Sequence, residues 1–212
     1  GTNWGNSTVY AYVWDSGNIG SNTLSEKNPT TAEESVVVKG KAAKLASTSI
    51  LGVFAAGNIY TGKYVKTIGV GAQLDFGIPF TCRPSSLKGY YNYTPSPIDK
   101  TRSQYEHLKG KNDCCNIYVV LADWDKPFEI NTTDGKFLDF QNDKHIIAHG
   151  EILDDVGTGG KYKEFEIKLH YRDMNRKPKY ILVVAAASRY GDYFTGGTSS
   201  VLYVDEFSLS YE

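Results

Sequence analysis

Apolar and polar residues alternate with a period of two along most of this chain, and no long stretch carries apolar residues at every third or fourth position. The pattern predicts strands over 8–14, 35–39, 42–48, 87–94, 116–123, 145–151, 162–170, 179–187 and 200–210, separated by Gly, Pro, Asn and Asp. Their number and spacing suit an all-β, two-sheet sandwich, and 212 residues are compatible with one core and a single domain over 1–212. Residues 15–34 and 95–114 read as long polar excursions, and the Gly-interrupted stretch 52–80 as material along the sandwich edge.

Alternation also assigns faces. In 116–123, Ile117, Val119 and Leu121 form a core row, which leaves Tyr118, Val120, Ala122 and then Trp124 on the other side. Tyr91 and Tyr93 share a row with Leu87, while Tyr90 and Asn92 point the other way with Lys88. The segment 179–187 is apolar on both faces, as in a central strand covered on both sides; its Ala185, Ala186 and Ala187 either leave a groove for a flat ligand or pack closely beneath a loop. In 200–210, Val201, Tyr203, Phe207 and Leu209 fall in one row with Asp205. A carboxylate in a core-facing row requires a metal, a cation or backbone N–H donors.

Charge and composition remove several classes of function. The net charge is −1 with acids and bases interspersed, so there is no basic stripe for nucleic acid and no polybasic membrane patch. No apolar run is long enough to span a membrane. Cys82, Cys114 and Cys115 have no metal-type spacing and read as free thiols. No charged-then-apolar leader opens the chain; a leader or upstream domain removed ahead of Gly1 and a natively cytoplasmic protein are both compatible with that. Tyrosine dominates the aromatics, 16 against 9 Phe and 3 Trp, which suits strand surfaces and wet binding faces alike.

Candidate chemistry is sparse. Asp123 and Asp125 form the nearest thing to a carboxylate pair, roughly 6–7 Å apart on an extended chain, the separation a glycosidase could use. The same "DWDKP" phrase closes a strand, where Asp commonly accepts turn N–H groups, so turn chemistry, ligand binding and catalysis all stay open. His145 and His149 fall on one strand face ~13 Å apart, too far for one metal. Nucleophile elbows, phosphate loops and dinucleotide fingerprints are missing, and no cofactor is expected. A sugar-binding face is easier to assemble: Trp124 as a stacking platform flanked by Asp123 and Asp125, Tyr118 in the same row, Tyr90 as a second platform, and Arg83 for a substrate carboxylate. Trp124 packed beneath a loop and Arg83 held against tyrosine rings and loop carbonyls are the competing structural readings.

The phrases "GNIYTGKY" (57–64), "FGIPFTCRPSSLKGYYNYTP" (76–95) and "YILVVAAASRYGDYFTGGTSSVLYVDEFSLSYE" (180–212) together resemble the putative carbohydrate metabolism domain family over about residues 35–212. Asn92 and Arg189 depart from its pattern, where a lysine and a serine would be expected. The resemblance implies a galactose-binding-type jelly roll from gut-bacterial envelope proteins, hence an exported domain whose leader or upstream domain lies outside this chain. It implies glycan as the partner in a non-catalytic, accessory role; a hydrolase or lyase using Asp123 and Asp125, and an adhesive module without sugar affinity, are the alternatives. It carries no catalytic residues over. In sandwich modules of similar fold, a terminal-strand Asp like Asp205 ligates a structural Ca²⁺, for which Asp15, Glu33 or Glu34 would supply further oxygens.

Overall fold

The computed structural model describes residues 13–211. The first part of the chain forms β1 (Trp14–Asp15), a two-turn helix α1 (Asn18–Ser25), β2 (Thr30–Glu33), β3 (Ala42–Ala46), β4 (Thr48–Ile50), β5 (Val53–Ala55), β6 (Asn58–Ile68), β7 (Gly71–Phe76) and β8 (Ile78–Pro79). Then follow β9 (Ser86–Thr94), β10 (Cys115–Ala122), β11 (Phe128–Asn131), β12 (Ile146–Asp154), β13 (Lys163–Lys168), β14 (His170–Tyr171), β15 (Tyr180–Ala186) and β16 (Val201–Ser210). The chain is an all-β sandwich of two antiparallel sheets. The large sheet runs β11-β7-β6-β15-β10-β12-β14, with β1 added to β6 and β8 to β15; the small sheet runs β13-β9-β16-β3-β2. β4 and β5 form a separate hairpin.

One core lies between the sheets. Ile117, Val119 and Leu121 of β10 and Ile181, Val183 and Ala185 of β15 meet Leu87, Tyr91 and Tyr93 of β9 and Leu202, Val204 and Phe207 of β16. β15 and β16 therefore face one another across it. Gly89 is required here: a Cβ would sit 2.5 Å from the Phe207 ring and 3.1 Å from Phe165, whose rings meet edge to face at 5.3 Å over the strand.

The large sheet is also covered on its outer face, so β10 and β15 are buried on both sides. Tyr118, Val120, Ala122 and Trp124 pack there with Leu182, Val184, Tyr60, Phe76 and Ile130, roofed by Phe137, Leu138 and Phe140 from the 132–145 segment. β6 and β7, expected at the edge, run through this sheet instead, with β6 directly beside β15.

Two departures from alternation have physical causes. No strand forms over 35–39, because side chains take the backbone donors a ladder would need. Glu33 Oε1 accepts the N–H groups of Glu34, Ser35 and Val36, and Asp205 Oδ2 accepts those of Val38 and Lys39. In β16 the pairing register with β9 slips between Asp205 and Ser208, and Glu206 adopts a φ of 51°. The bulge flips the row, so Leu202 and Val204 point into the core with Phe207, while Val201, Tyr203 and Asp205 do not. Of the strand expected over 8–14, residues 8–12 lie outside the described residues.

Candidate functional site

The residues expected to form a sugar face are dispersed. Trp124 lies on the outer face of the large sheet and is buried at 6% exposure, its indole N–H donating to Asp143 Oδ2 at 2.9 Å. Tyr118 is buried in the same row, with Phe140 against its ring at 4.9 Å. Tyr90 is on β9, opposite Asp205 and Glu164, and so faces outward from the other sheet. The core separates it from Trp124, and one ligand cannot stack on both. Alternation assigned the rows of β9 and β10 correctly but does not say which sheet a strand joins.

Arg83 and Asp123 are linked through Arg176, in a structural network. Arg83 donates to the carbonyls of Arg176 (2.7 Å) and Asp173 (3.2 Å) and lies over the Tyr171 ring at 4.6 Å. Arg176 in turn donates to Asp123 Oδ2 at 3.1 Å, and His145 Nδ1 stands 2.9 Å from Asp123 Oδ1. Asp125 is exposed and paired with Lys179 at 2.7 Å, which holds its carboxyl below the usual range. The two carboxylates thus belong to separate ion pairs and do not face one another across a cleft.

Asp205 is buried on the outer side of the small sheet and holds backbone donors: the N–H groups of Val38 (2.7 Å), Lys39 (3.1 Å) and Glu206 (2.9 Å). The oxygens expected to complete a Ca²⁺ site are engaged too, Asp15 by the N–H groups of Ser16 and Tyr64, and Glu33 by its own turn. Among the described residues no group of three His, Cys, Asp or Glu side chains is placed to hold a metal.

A cleft does form, at the other end of the outer face of the large sheet. The 132–145 roof packs in one cluster with Tyr118, Val120 and Ala122, whereas Asn116 and Ala186, which pair across β10 and β15, lie outside that cluster. There a cavity of about 40 Å³ opens between Asn116, Tyr118, Ala186, Tyr60 and the loop carrying Arg189 and Asp192. Asp192 also borders a pocket of about 120 Å³ toward α1 and the β4–β5 hairpin, and an open groove of about 850 Å³ lined by Arg102, Phe137, Tyr193 and Phe194. One carboxylate is therefore shared by three adjoining hollows.

The loop holding Asp192 is fixed from below. Gly191 approaches so closely that a Cβ would lie 2.5 Å from Ala56 Cβ, and only glycine lets the turn sit this low on the sheet. Asp113, fully buried, accepts the Ser188 and Ser200 hydroxyls and the Gly197 N–H on one oxygen, tying both ends of the 188–200 loop to the start of β10. The rings of Tyr190, Tyr105, Tyr193 and Phe137 follow one another along the rim at centroid separations of 4.7, 5.1 and 4.3 Å. All four are half-buried.

The electrostatics single out two groups. Burial raises the Asp192 carboxyl to about 6, and among the described residues no hydrogen bond or ion pair holds it. Asn116 is 8% exposed, and its Oδ1 accepts no hydrogen bond. Burial, with smaller contributions from Asp192 and Glu151, also pushes the Tyr118 hydroxyl well above its ordinary range, so it remains a neutral donor. Two acceptors without donors thus line a small cavity with a neutral phenol, and Phe137 and Tyr193 of the aromatic row line the open groove on the other side of Asp192. Asp192 was missed in the sequence because it lies in no strand row; its only signal was the phrase "GDYFTGG" around it.

The family model described as putative carbohydrate metabolism domain matches residues 3–210. The chain belongs to this family. No curated protein matches the sequence. The chain is similar in structure to a putative glycoside hydrolase from Bacteroides thetaiotaomicron, with 23% identity and a TM-score of 0.74, covering 94% of this chain and 63% of that one. This chain thus spans less than two thirds of that protein. A putative glycoside hydrolase from Bacteroides vulgatus is similar at 20% identity and a TM-score of 0.73, covering 94% of this chain and 85% of that one. Both likenesses are of fold. A carbohydrate-binding module specific for non-crystalline cellulose aligns at 11% identity and a TM-score of 0.44 over 93% of this chain and 87% of that one.

Proposed function

We propose that this domain binds a carbohydrate chain along the open groove beside Asp192, with a hydroxyl-bearing group entering the small cavity of Asn116 and Tyr118, as a non-catalytic accessory domain exported to the bacterial cell envelope. The observation that carries the binding reading is the Asn116 amide oxygen. A buried acceptor without a donor is a standing cost of about 1–3 kcal/mol, and it persists where a ligand supplies the donor. Sugar hydroxyls donate readily to an amide oxygen and a carboxylate, and sugar C–H faces suit the half-buried rings of Phe137 and Tyr193 that line the groove. Family membership in carbohydrate metabolism supports the same class of ligand. The test is a glycan array followed by titration of the best hit against wild type, Asn116→Ala and Asp192→Asn. Weaker binding in both variants with the fold intact supports the reading; a blank array together with capture of a protein partner would favour an adhesive module.

One observation favours a hydrolytic reading. A carboxyl held at about 6 is suited to a general acid, and Asp192 has that property, whereas Lys179 holds the Asp125 carboxyl below the usual range. A hydrolase also needs a second carboxylate across the scissile bond, and the residues around the 40 Å³ cavity include no other. Turnover on the glycans that bind, abolished in Asp192→Asn, would establish hydrolysis.

A further inference from the structure

We propose that the carbohydrate recognised by this cleft is acidic, bearing an oxyanion as a uronate carboxylate or a sulfate ester that Arg102 and Arg189 grip from the rim. This rests on the binding reading above and names its ligand class. Arg102 lines the open groove beside Asp192, and Arg189 lines the small cavity on the other side of it. Among the described residues neither guanidinium has a carboxylate partner. The acids near Arg102 in sequence are engaged elsewhere: Asp99 accepts the Thr198 N–H and hydroxyl, and Glu106 takes the Thr101 hydroxyl and pairs with Lys109.

Both guanidinia are nonetheless held in place by rings of one loop. Arg102 lies over Phe194 with its Cζ 5.0 Å from the ring centroid, and Arg189 lies over Tyr190 at 5.5 Å. The Arg102 backbone N–H also donates to Thr195 Oγ1 at 3.0 Å, fixing its stem to the same loop. A guanidinium stacked on a ring keeps its N–H edge free, and that planar fork matches the two oxygens of a carboxylate or sulfate. Each guanidinium covers a ring of the 188–200 loop, so a sugar lying against the neighbouring Tyr193 and Phe137 of the groove would bring its acidic substituent to an arginine. The acceptors Asn116 and Asp192 would meanwhile take hydroxyl donors. Cations outside and acceptors inside divide the ligand into an anionic edge and a hydroxyl-bearing end.

The test uses an array holding neutral, uronate and sulfated oligosaccharides, then matched pairs by calorimetry: tetragalacturonate against its full methyl ester, and a sulfated galactan tetramer against its desulfated form. At least tenfold tighter binding of one acidic member than of its neutral partner is expected. Raising NaCl from 50 to 300 mM should weaken it several-fold. Arg102→Gln and Arg189→Gln should each bring acidic and neutral affinities together without lowering the melting temperature, and which acidic partner prevails identifies the oxyanion. Equal affinity for charged and uncharged members, with Asn116→Ala still weakening binding about fivefold, overturns the acidic assignment while leaving the cleft as a sugar site. A blank array for all three classes overturns both.

Discussion

Trp124 donates its indole N–H to Asp143 Oδ2 across 2.9 Å, tying the end of the 132–145 roof to the residues that follow β10 on the outer face of the large sheet. Phe128 and Tyr180 stand against the indole with centroids at 5.4 and 6.4 Å, and Gly77 leaves room for its edge. Trp124→Ala should therefore cost about 3–5 kcal/mol in urea unfolding, and Trp124→Phe about 1–2 kcal/mol through lost volume and the lost bond to Asp143. Trp124→Phe should leave glycan affinity unchanged. A variant of full stability that binds glycan more weakly would return Trp124 to the ligand face.

The rows of single strands were legible because alternation is a local property. Ile117 against Tyr118, and Tyr91 against Tyr90, are assigned by it correctly. The sheet to which each row belongs is set by pairing between distant segments, and so Tyr90 and Trp124, each read as outward, ended on opposite sides of the molecule. Residues 35–39 show a second limit. Their apolar alternation is strand-like, yet Glu33 and Asp205 divert the backbone donors, and Asp205 lies 167 positions from Val38. The Asp192 cleft was hidden for a related reason: it exists where a roof contributed by one loop ends and another begins.

Asp205 anchors the 36–39 segment to β16, and Asp205→Ala should cost about 2–4 kcal/mol through lost charge-assisted bonds to Val38, Lys39 and Glu206. Asp205→Asn keeps an acceptor and should lose roughly half as much. Because the carboxylate already holds backbone donors, neither EDTA nor millimolar Ca²⁺ should move the melting temperature of wild type. A Ca²⁺-dependent rise that disappears in Asp205→Asn would show a metal site instead.

Asp192 makes stability depend on pH in the less common direction for a carboxylate. Its folded-state value is raised to about 6, so between the ordinary carboxylate range and about 6 the folded protein binds the extra proton. The favourable contribution of this group is complete below about pH 4 and is lost as pH rises through 6. Asp192→Asn should accordingly melt higher than wild type at pH 7–8, by roughly 2–4 °C for each kcal/mol recovered, and converge with it near pH 4. Melting curves of the two proteins from pH 4 to 8 check this. A constant offset across that range would mean that the carboxyl is not desolvated when the cleft is unliganded.

Asn116 separates a ligand-binding group from a structural one. Its orphan Oδ1 makes no contribution to the unliganded fold, so Asn116→Ala should leave stability unchanged or raise it slightly, unlike truncation of a hydrogen-bonded buried amide. A short oligosaccharide stacking on partly covered rings should bind with a dissociation constant on the order of 0.1–1 mM, which corresponds to about 4–5.5 kcal/mol in all. One hydroxyl donated to Asn116 supplies about 1 kcal/mol of that, so Asn116→Ala should weaken binding roughly fivefold. The bond to the charged Asp192 is worth more, and Asp192→Asn should weaken binding at pH 7–8 by about 10–100-fold. The two variants should thus hold or gain stability while losing affinity. An Asn116→Ala protein that unfolds more easily and binds as wild type does would place a hidden structural partner at Oδ1 and remove the cleft's claim to a ligand.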